Sequence, residues 1–180
     1  MRALWLVLVL AGCAGAPLFT VYRDTAVPIA AQTGFEADRY LGLWYEIARF
    51  PVFFEAGCEG VTAEYSARDD GLIGVFNTCR GPDGAVTSTI AGTAEVVGDG
   101  QLKVRFGSVP FVAADYWVLW VDEGYRTAVV GAPNGRSGWV LAREPAISEA
   151  RLAAAQAVLA ANGYDVRRME MVAQRGGAPG

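Results

Sequence analysis

From Phe35 onward, short runs rich in Val, Thr, Tyr and Phe alternate with clusters of Gly, Asp, Asn and Pro. Strands that short, punctuated that often, restrict the chain to antiparallel β-structure folded as a sandwich or a barrel. The pattern predicts eight strands, at 43–50, 60–68, 72–79, 86–97, 101–106, 115–122, 126–132 and 137–143. Several alternate with period two, so Val61, Ala63 and Tyr65 share one face, as do Ile73, Val75 and Asn77, and Leu102, Val104 and Phe106. Asp69-Asp70-Gly71 and Gly98-Asp99-Gly100 supply the positive-φ residues that tight hairpins need. After Pro145 the period changes. Ser148 can cap a helix with Leu152, Ala155 and Leu159 on one face, and Gly163 can end it. Val166 to Val172 then reads as a ninth, edge strand. The folded domain is expected over 35–173, and the Gly/Pro-containing tail at 174–180 is expected to be disordered.

The first residues have a different character. Ala3 to Ala11 form a nine-residue apolar run behind a single basic residue, Arg2, and the run closes on Leu10-Ala11-Gly12-Cys13. A bilayer core needs roughly 20 apolar residues, so this stretch cannot span one. The segment resembles a bacterial lipoprotein signal peptide covering residues 1–12, which makes Cys13 the acylated first residue of the mature chain. The alternative is an ordinary N-terminal core strand with an incidental cysteine. In the lipoproteins it resembles, an aspartate after the cysteine retains the protein at the inner membrane. Here that residue is Ala14, which implies the outer membrane, with the protein lipid-anchored on its periplasmic face. Residues 13–34, with Pro17 and Pro28 and no sustained periodicity, are expected to be the tether between anchor and domain.

Composition closes off most other functions. Lys and Arg number 15 against 19 Asp and Glu, and no basic stretch exists, which argues against nucleic acid as a partner. The chain has no histidine, which removes serine–histidine and cysteine–histidine catalysis and the usual zinc and haem ligands together. No cofactor or metal site is expected. Gly135-Arg136-Ser137-Gly138-Trp139 approaches a nucleophile elbow but lacks its last glycine and any base. With Cys13 set aside, Cys58 and Cys79 remain. In an oxidising compartment they are natural disulfide partners; two buried free thiols are the alternative.

Three stretches carry a family resemblance. Gly42-Leu43-Trp44-Tyr45-Glu46-Ile47-Ala48-Arg49 resembles the G-x-W signature of lipocalins, in the form typical of their bacterial and apolipoprotein D-like branch. Asp122-Glu123-Gly124-Tyr125 resembles the second lipocalin motif, and Leu141-Ala142-Arg143 the third, whose core is an arginine. The resemblance implies an all-β fold: an eight-stranded antiparallel up-and-down β-barrel with a C-terminal α-helix and a short ninth strand. In such a barrel successive strands reverse direction, which brings all three motifs to one end. That end is expected to be closed, with Trp44 as plug and the Arg143 guanidinium stacked on it. Gly42, Trp44, Asp122, Tyr125 and Arg143 are then structural rather than catalytic residues.

The same counting sends Cys58 and Cys79 to the opposite, open end. Cys79 shares the inward phase of Asn77 while Cys58 is out of phase with Val61, so a bridge requires Cys58 to approach from irregular backbone. Eight strands enclose space for packed side chains or for one small ligand. Inward phase predicts a mainly apolar lining with a few polar handles, suited to acyl chains. The ligand-contacting residues are expected to be Ala48, Phe50, Phe54, Tyr65, Val75, Asn77, Val104, Phe106, Tyr116, Trp139 and Leu141. Two loops at the predicted mouth, Phe50-Pro51-Val52-Phe53-Phe54 and Val109-Pro110-Phe111-Val112, are unusually apolar, and could gate lipid entry, rest on a bilayer or pack on each other. The expected function is an outer-membrane lipoprotein, not an enzyme, that binds a fatty acid or lysophospholipid and stores or transports it. The rivals are a lipid-modifying enzyme using Glu46 as base and Cys79 as thiol, and a scaffold whose barrel is filled solidly. A homodimer joined across the mouths is a further arrangement the residues leave open.

Overall fold

The computed structural model describes residues 20–107 and 112–174. Residues 1–12, Cys13, the Val109–Phe111 part of the second apolar loop and the tail beyond 174 lie outside that range. A helical turn, α1 (Ala37–Tyr40), leads into β1 (Gly42–Arg49), and β2 (Thr62–Ala67), β3 (Ile73–Arg80), β4 (Val86–Gly98) and β5 (Gln101–Phe106) follow. Then come β6 (Ala114–Val121), β7 (Thr127–Gly131), β8 (Gly138–Ala142), the helix α2 (Glu149–Ala161) and the two-residue β9 (Glu170–Met171). No helix among the described residues is long and apolar enough to cross a membrane.

Each strand from β2 to β7 pairs antiparallel with the next, and β1 closes the cylinder by pairing with both β2 and β8. All eight expected barrel strands form, because the alternating residues bury one face and the turns have the needed chemistry. Gly71 and Gly100 sit at φ +79° and +66° in the β2–β3 and β4–β5 turns, where a side chain would be strained. The ninth strand is shorter than expected: Val166–Arg168 is a 3₁₀ turn, and only Glu170 and Met171 pair with β1. There Asp165 accepts from the Arg167 amide and coils the backbone. A short 3₁₀ turn, Phe53–Glu55, also interrupts the β1–β2 loop.

Two apolar layers flank the sheet. The inner one fills the lower barrel with Trp44, Tyr65, Ile73, Leu102, Val118 and Val130, all buried. The outer one lies between the sheet and α2, where Ile47, Val129, Val140, Ala155 and Leu159 meet. Ser148 caps α2 by accepting from the Arg151 amide at 3.3 Å.

Strand β1 departs from simple alternation, with consequences for the site. Its register against β8 shifts between Glu46 and Ala48, so Ile47 is an extra residue. Trp44 and Glu46 face inward, Ile47 and Ala48 both face α2, and phase resumes with Arg49 inside opposite Trp139. Ala48 and Phe50, expected to line the cavity, therefore lie in the outer layer. The Phe50 ring stacks on Tyr22 and Tyr164, at centroid distances of 5.0 and 5.1 Å. The strand also forks: its lower half pairs with β2, its upper end with β9, and Gln174 Nε2 donates across the gap to the carbonyls of Glu46 and Val61, at 2.6 and 2.9 Å.

The described part of the expected tether is not a free linker. Tyr22 and Arg23 are buried, and the segment from Thr20 to Phe35 straps the outside of the barrel from the open end to the closed one. Tyr22 N donates to Gly135 O at 2.7 Å, Gln32 N to Val118 O at 2.8 Å, and the amides of Gly34 and Phe35 to Asp99 at 2.7 and 2.9 Å. Composition concealed this because the strap is held through backbone groups, which carry no side-chain periodicity.

Candidate ligand site

The closed end positions everything above it. Trp44 is fully buried, its Nε1 donates to Tyr40 O at 2.7 Å, and the Arg143 guanidinium lies 3.8 Å over its ring. Arg143 also donates to four carbonyls, those of Tyr125, Leu43, Arg39 and Leu41, at 2.8 to 3.2 Å. Gly42 precedes Trp44 at φ +93°, with Arg143 Nη1 3.4 Å from where a Cβ would stand, and Asp122 Oδ1 accepts from the amides of Arg126 and Thr127. Tyr125 sits at φ +52°, costly for a side-chain-bearing residue, and is held by its hydroxyl, which accepts from Glu36 N at 2.8 Å.

Above the plug are two polar layers. In the first, the Tyr116 hydroxyl lies 2.9 Å from that of Tyr40 and 2.8 Å from that of Tyr65. Burial pushes all three phenols up, so they remain protonated and act as mutual hydrogen-bond partners. In the second, Arg49 Nη1 meets Glu46 Oε1 at 3.1 Å, Arg49 Nε lies 3.9 Å from Glu55 Oε2, and Trp139 Nε1 donates to that oxygen at 3.3 Å. Arg49 Nη2 also donates to the carbonyls of Glu55 and Cys58. Burial, then the Glu55 charge, raises the Glu46 carboxyl well above the usual range against the pull of Arg49. Glu55 is raised by burial, opposed by the Trp139 hydrogen bond and by Arg49. Two carboxyls share one guanidinium, three of whose five N–H groups already donate to Glu46 and to the carbonyls of Glu55 and Cys58.

The β3–β6 wall differs. Ile90 pairs with Asn77 and shares the inward phase of Val75, yet it is 36% exposed. Asn77, Phe106, Tyr116 and Trp139 are half-buried, and Ser88, one inward step nearer the mouth, is exposed. The Phe106 ring lies against Gly92, where an added Cβ would stand 2.8 Å from it. Among the described residues Asn77 Oδ1 is shielded from solvent without a hydrogen-bond partner. The upper barrel is thus a cup, floored by tyrosines, blocked on its β1 side by the Arg49 cluster and open along β3 to β6.

Of the expected ligand residues, the structure places Tyr65, Val75, Val104 and Leu141 in the buried inner layer, and Asn77, Phe106, Tyr116 and Trp139 half-buried around the cup. Phe54 stands outside the cup on the rim, 57% exposed and edge-on to Phe53. Cys58 and Cys79 form a disulfide with a Cα–Cα distance of 5.3 Å, and Cys58 does approach from irregular backbone. The bond leaves Cys79 no thiol for chemistry. Sequence reasoning missed Arg49 and Glu55. Glu46 and Arg49 are three apart, a spacing that puts strand residues on opposite faces, and only the bulge brings them together. A second depression, about 510 Å³, lies outside the barrel beside the strap. It is wide open, and its Asp165–Arg167 pair is self-satisfied.

An up-and-down barrel plugged at one end by a tryptophan–arginine stack and open at the other to one small ligand defines the lipocalin class. Residues 35–174 match the lipocalin-like domain, and the chain belongs to that family. It is 40% identical over 151 residues to the outer membrane lipoprotein Blc of Citrobacter freundii, covering 82% of this chain and 84% of that protein. To apolipoprotein D of Cavia porcellus it is 30% identical over 152 residues, 79% of each chain. Lobster apocrustacyanin A1 shares the fold, with a TM-score of 0.66 at 17% identity over 90% of this chain and 94% of that one.

Proposed function

We propose that the protein is an outer-membrane lipoprotein, acylated at Cys13 and facing the periplasm, that binds a single-chain lipid in the upper barrel and stores or transports it. The exposed, inward-phase Ile90 carries this reading, because an apolar residue on the concave side of a closed sheet stays in water only when none of the described residues fills the cup above it. The tail would lie against Val75, Ile90, Val104 and Phe106 and end on the tyrosine floor, with Asn77 as polar handle. Fatty acids and lysophospholipids both meet this description. Arg49 is already engaged by Glu46, Glu55 and two carbonyls, so affinity rests mainly on taking the tail out of water, about 0.8 kcal/mol per CH₂. Titrating delipidated protein with fatty acids and lysophospholipids of graded length should show Kd falling about fourfold per added CH₂ until the cup is full. Absence of saturable binding by either series would reject the proposal.

A further inference from the structure

The strap determines which end of the barrel the upstream chain leaves. Strand β1 rises from Gly42 at the closed end, so the β1–β2 and β7–β8 loops both lie at the mouth. Tyr22 is fixed to both: its amide donates to Gly135 O at 2.7 Å and its hydroxyl to Pro51 O at 2.6 Å. Its ring is further held between Phe50 and the Arg168 guanidinium, the latter 4.6 Å away. Thr20 therefore emerges beside the mouth, seven residues from Cys13.

That length is decisive. Seven extended residues reach about 24 Å. An eight-residue strand is about 26 Å long, or about 20 Å along the axis once tilted. For the closed end to face the anchoring membrane, the tether would have to run back over nearly the whole barrel and spend almost all its reach. With the mouth toward the membrane, it has slack. The surface agrees. Phe53 and Phe54 project from the β1–β2 loop 81% and 57% exposed, and Val86 and Val112, beside the other two mouth loops, are 56% and 58% exposed. Around the emerging strap Arg136 and Arg168 are exposed, as is Arg167 in its pair with Asp165. The opposite end carries Asp69, Asp70, Asp99, Asp122, Glu123 and Glu144, of which Asp70 is paired with Arg68 and Glu144 with Arg126 and Arg151, so the remaining acids face an anionic leaflet unfavourably.

We infer that the barrel docks mouth-down on the bilayer that holds its anchor, with Phe53 and Phe54 inserted among the lipids, so that the cup opens onto the leaflet. This rests on the acylated-Cys13 reading above, and it commits to a lipid surface rather than a second copy as the cover for the rim. Glu55 is the inward-facing neighbour of those two aromatics, latched to Arg49 and Trp139, so the docking segment is also the wall of the cup.

Amide hydrogen exchange on the full chain, with and without vesicles of phosphatidylethanolamine and phosphatidylglycerol, tests the orientation. Vesicle-dependent protection is expected at 52–57 and 85–87 and not at 69–71, 98–100 or 123–126. Protection of the latter turns, or none at the mouth, overturns it. So does mouth protection that appears without vesicles and grows with protein concentration, which would identify a second copy as the cover. Phe53→Ser in the chain lacking its anchor should weaken partition into the same vesicles about tenfold. It should leave binding of monomeric lysophospholipid in solution unchanged, and unaltered partition counts against docking. The intact mass at Cys13 and the lipid titration report separately on the anchor and the ligand, so their failure is distinguishable from failure of the docking face.

Discussion

The two ends of the barrel treat polar and apolar groups in opposite ways. At the closed end arginine and aspartate side chains satisfy backbone groups, and Trp44 is sealed beneath them. At the mouth the charged residues Glu46, Arg49 and Glu55 turn inward on one another while Phe53 and Phe54 face out. Closed-end residues are spent on holding the cylinder shut. Mouth residues leave part of its inner wall unfilled, at the cost of a buried charge cluster that could have been apolar packing.

If that division holds, substitutions below should be read mainly in stability and those above partly in binding. Trp44→Ala should have the largest effect, a loss of about 4 kcal/mol in urea unfolding, because it leaves a cavity and strips the guanidinium of its ring. Arg49→Met should cost about 3 kcal/mol at pH 7 by leaving two carboxyls buried without a counter-charge. Glu46 and Glu55 are already raised above about 4.5 in the folded state, so they hold protons more tightly folded than unfolded. Their contribution is greatest below that value and is lost as pH rises through the folded one. The variant raises them further, so its deficit should shrink on going from pH 7 to pH 5. A deficit independent of pH would mean that Arg49 acts through packing alone.

Replacing Cys58 and Cys79 together by serine should cost about 3 kcal/mol in the chain-entropy model, with faster amide exchange confined to 52–61. Tyr125→Phe removes the acceptor for Glu36 N and should cost about 1 kcal/mol with ligand affinity unchanged. Ile90→Trp sharpens the contrast most. It should shift stability by no more than about 0.5 kcal/mol, since the site is already exposed, yet abolish lipid binding by filling the cup.

How much of this was legible in the sequence follows from which residues obey a period. The eight strands follow from alternation, the plug of Trp44 and Arg143 from the lipocalin resemblance and strand-direction counting, and the pairing of Cys58 with Cys79 from their being the two cysteines left once Cys13 is set aside. Arg49, Ala48 and Phe50 were misread because a single extra residue at Ile47 reverses every face beyond it, and no side-chain pattern announces a bulge. Glu55 escaped because it reaches the interior from a loop, where phase has no meaning. The strap at 20–34 was invisible because its bonds are mostly main-chain. Each failure has one root: periodicity reports on side chains in regular backbone and on nothing else.

The fork in β1 bears on when this cylinder can close during synthesis. Its seam joins Tyr45 to Ala142, and on its other side the gap toward β2 is bridged by Gln174, the last described residue. Contacts so distant along the chain form late, after the entropy of the intervening loop has been overcome. A ribosome or translocation pore that has released only the first hundred residues holds a strand with neither neighbour across the seam. The polypeptide therefore stays threadable until β8 is free, and a chain truncated before Gly138 should show the Phe50 amide, which donates to Gly138 O, exchanging as if open.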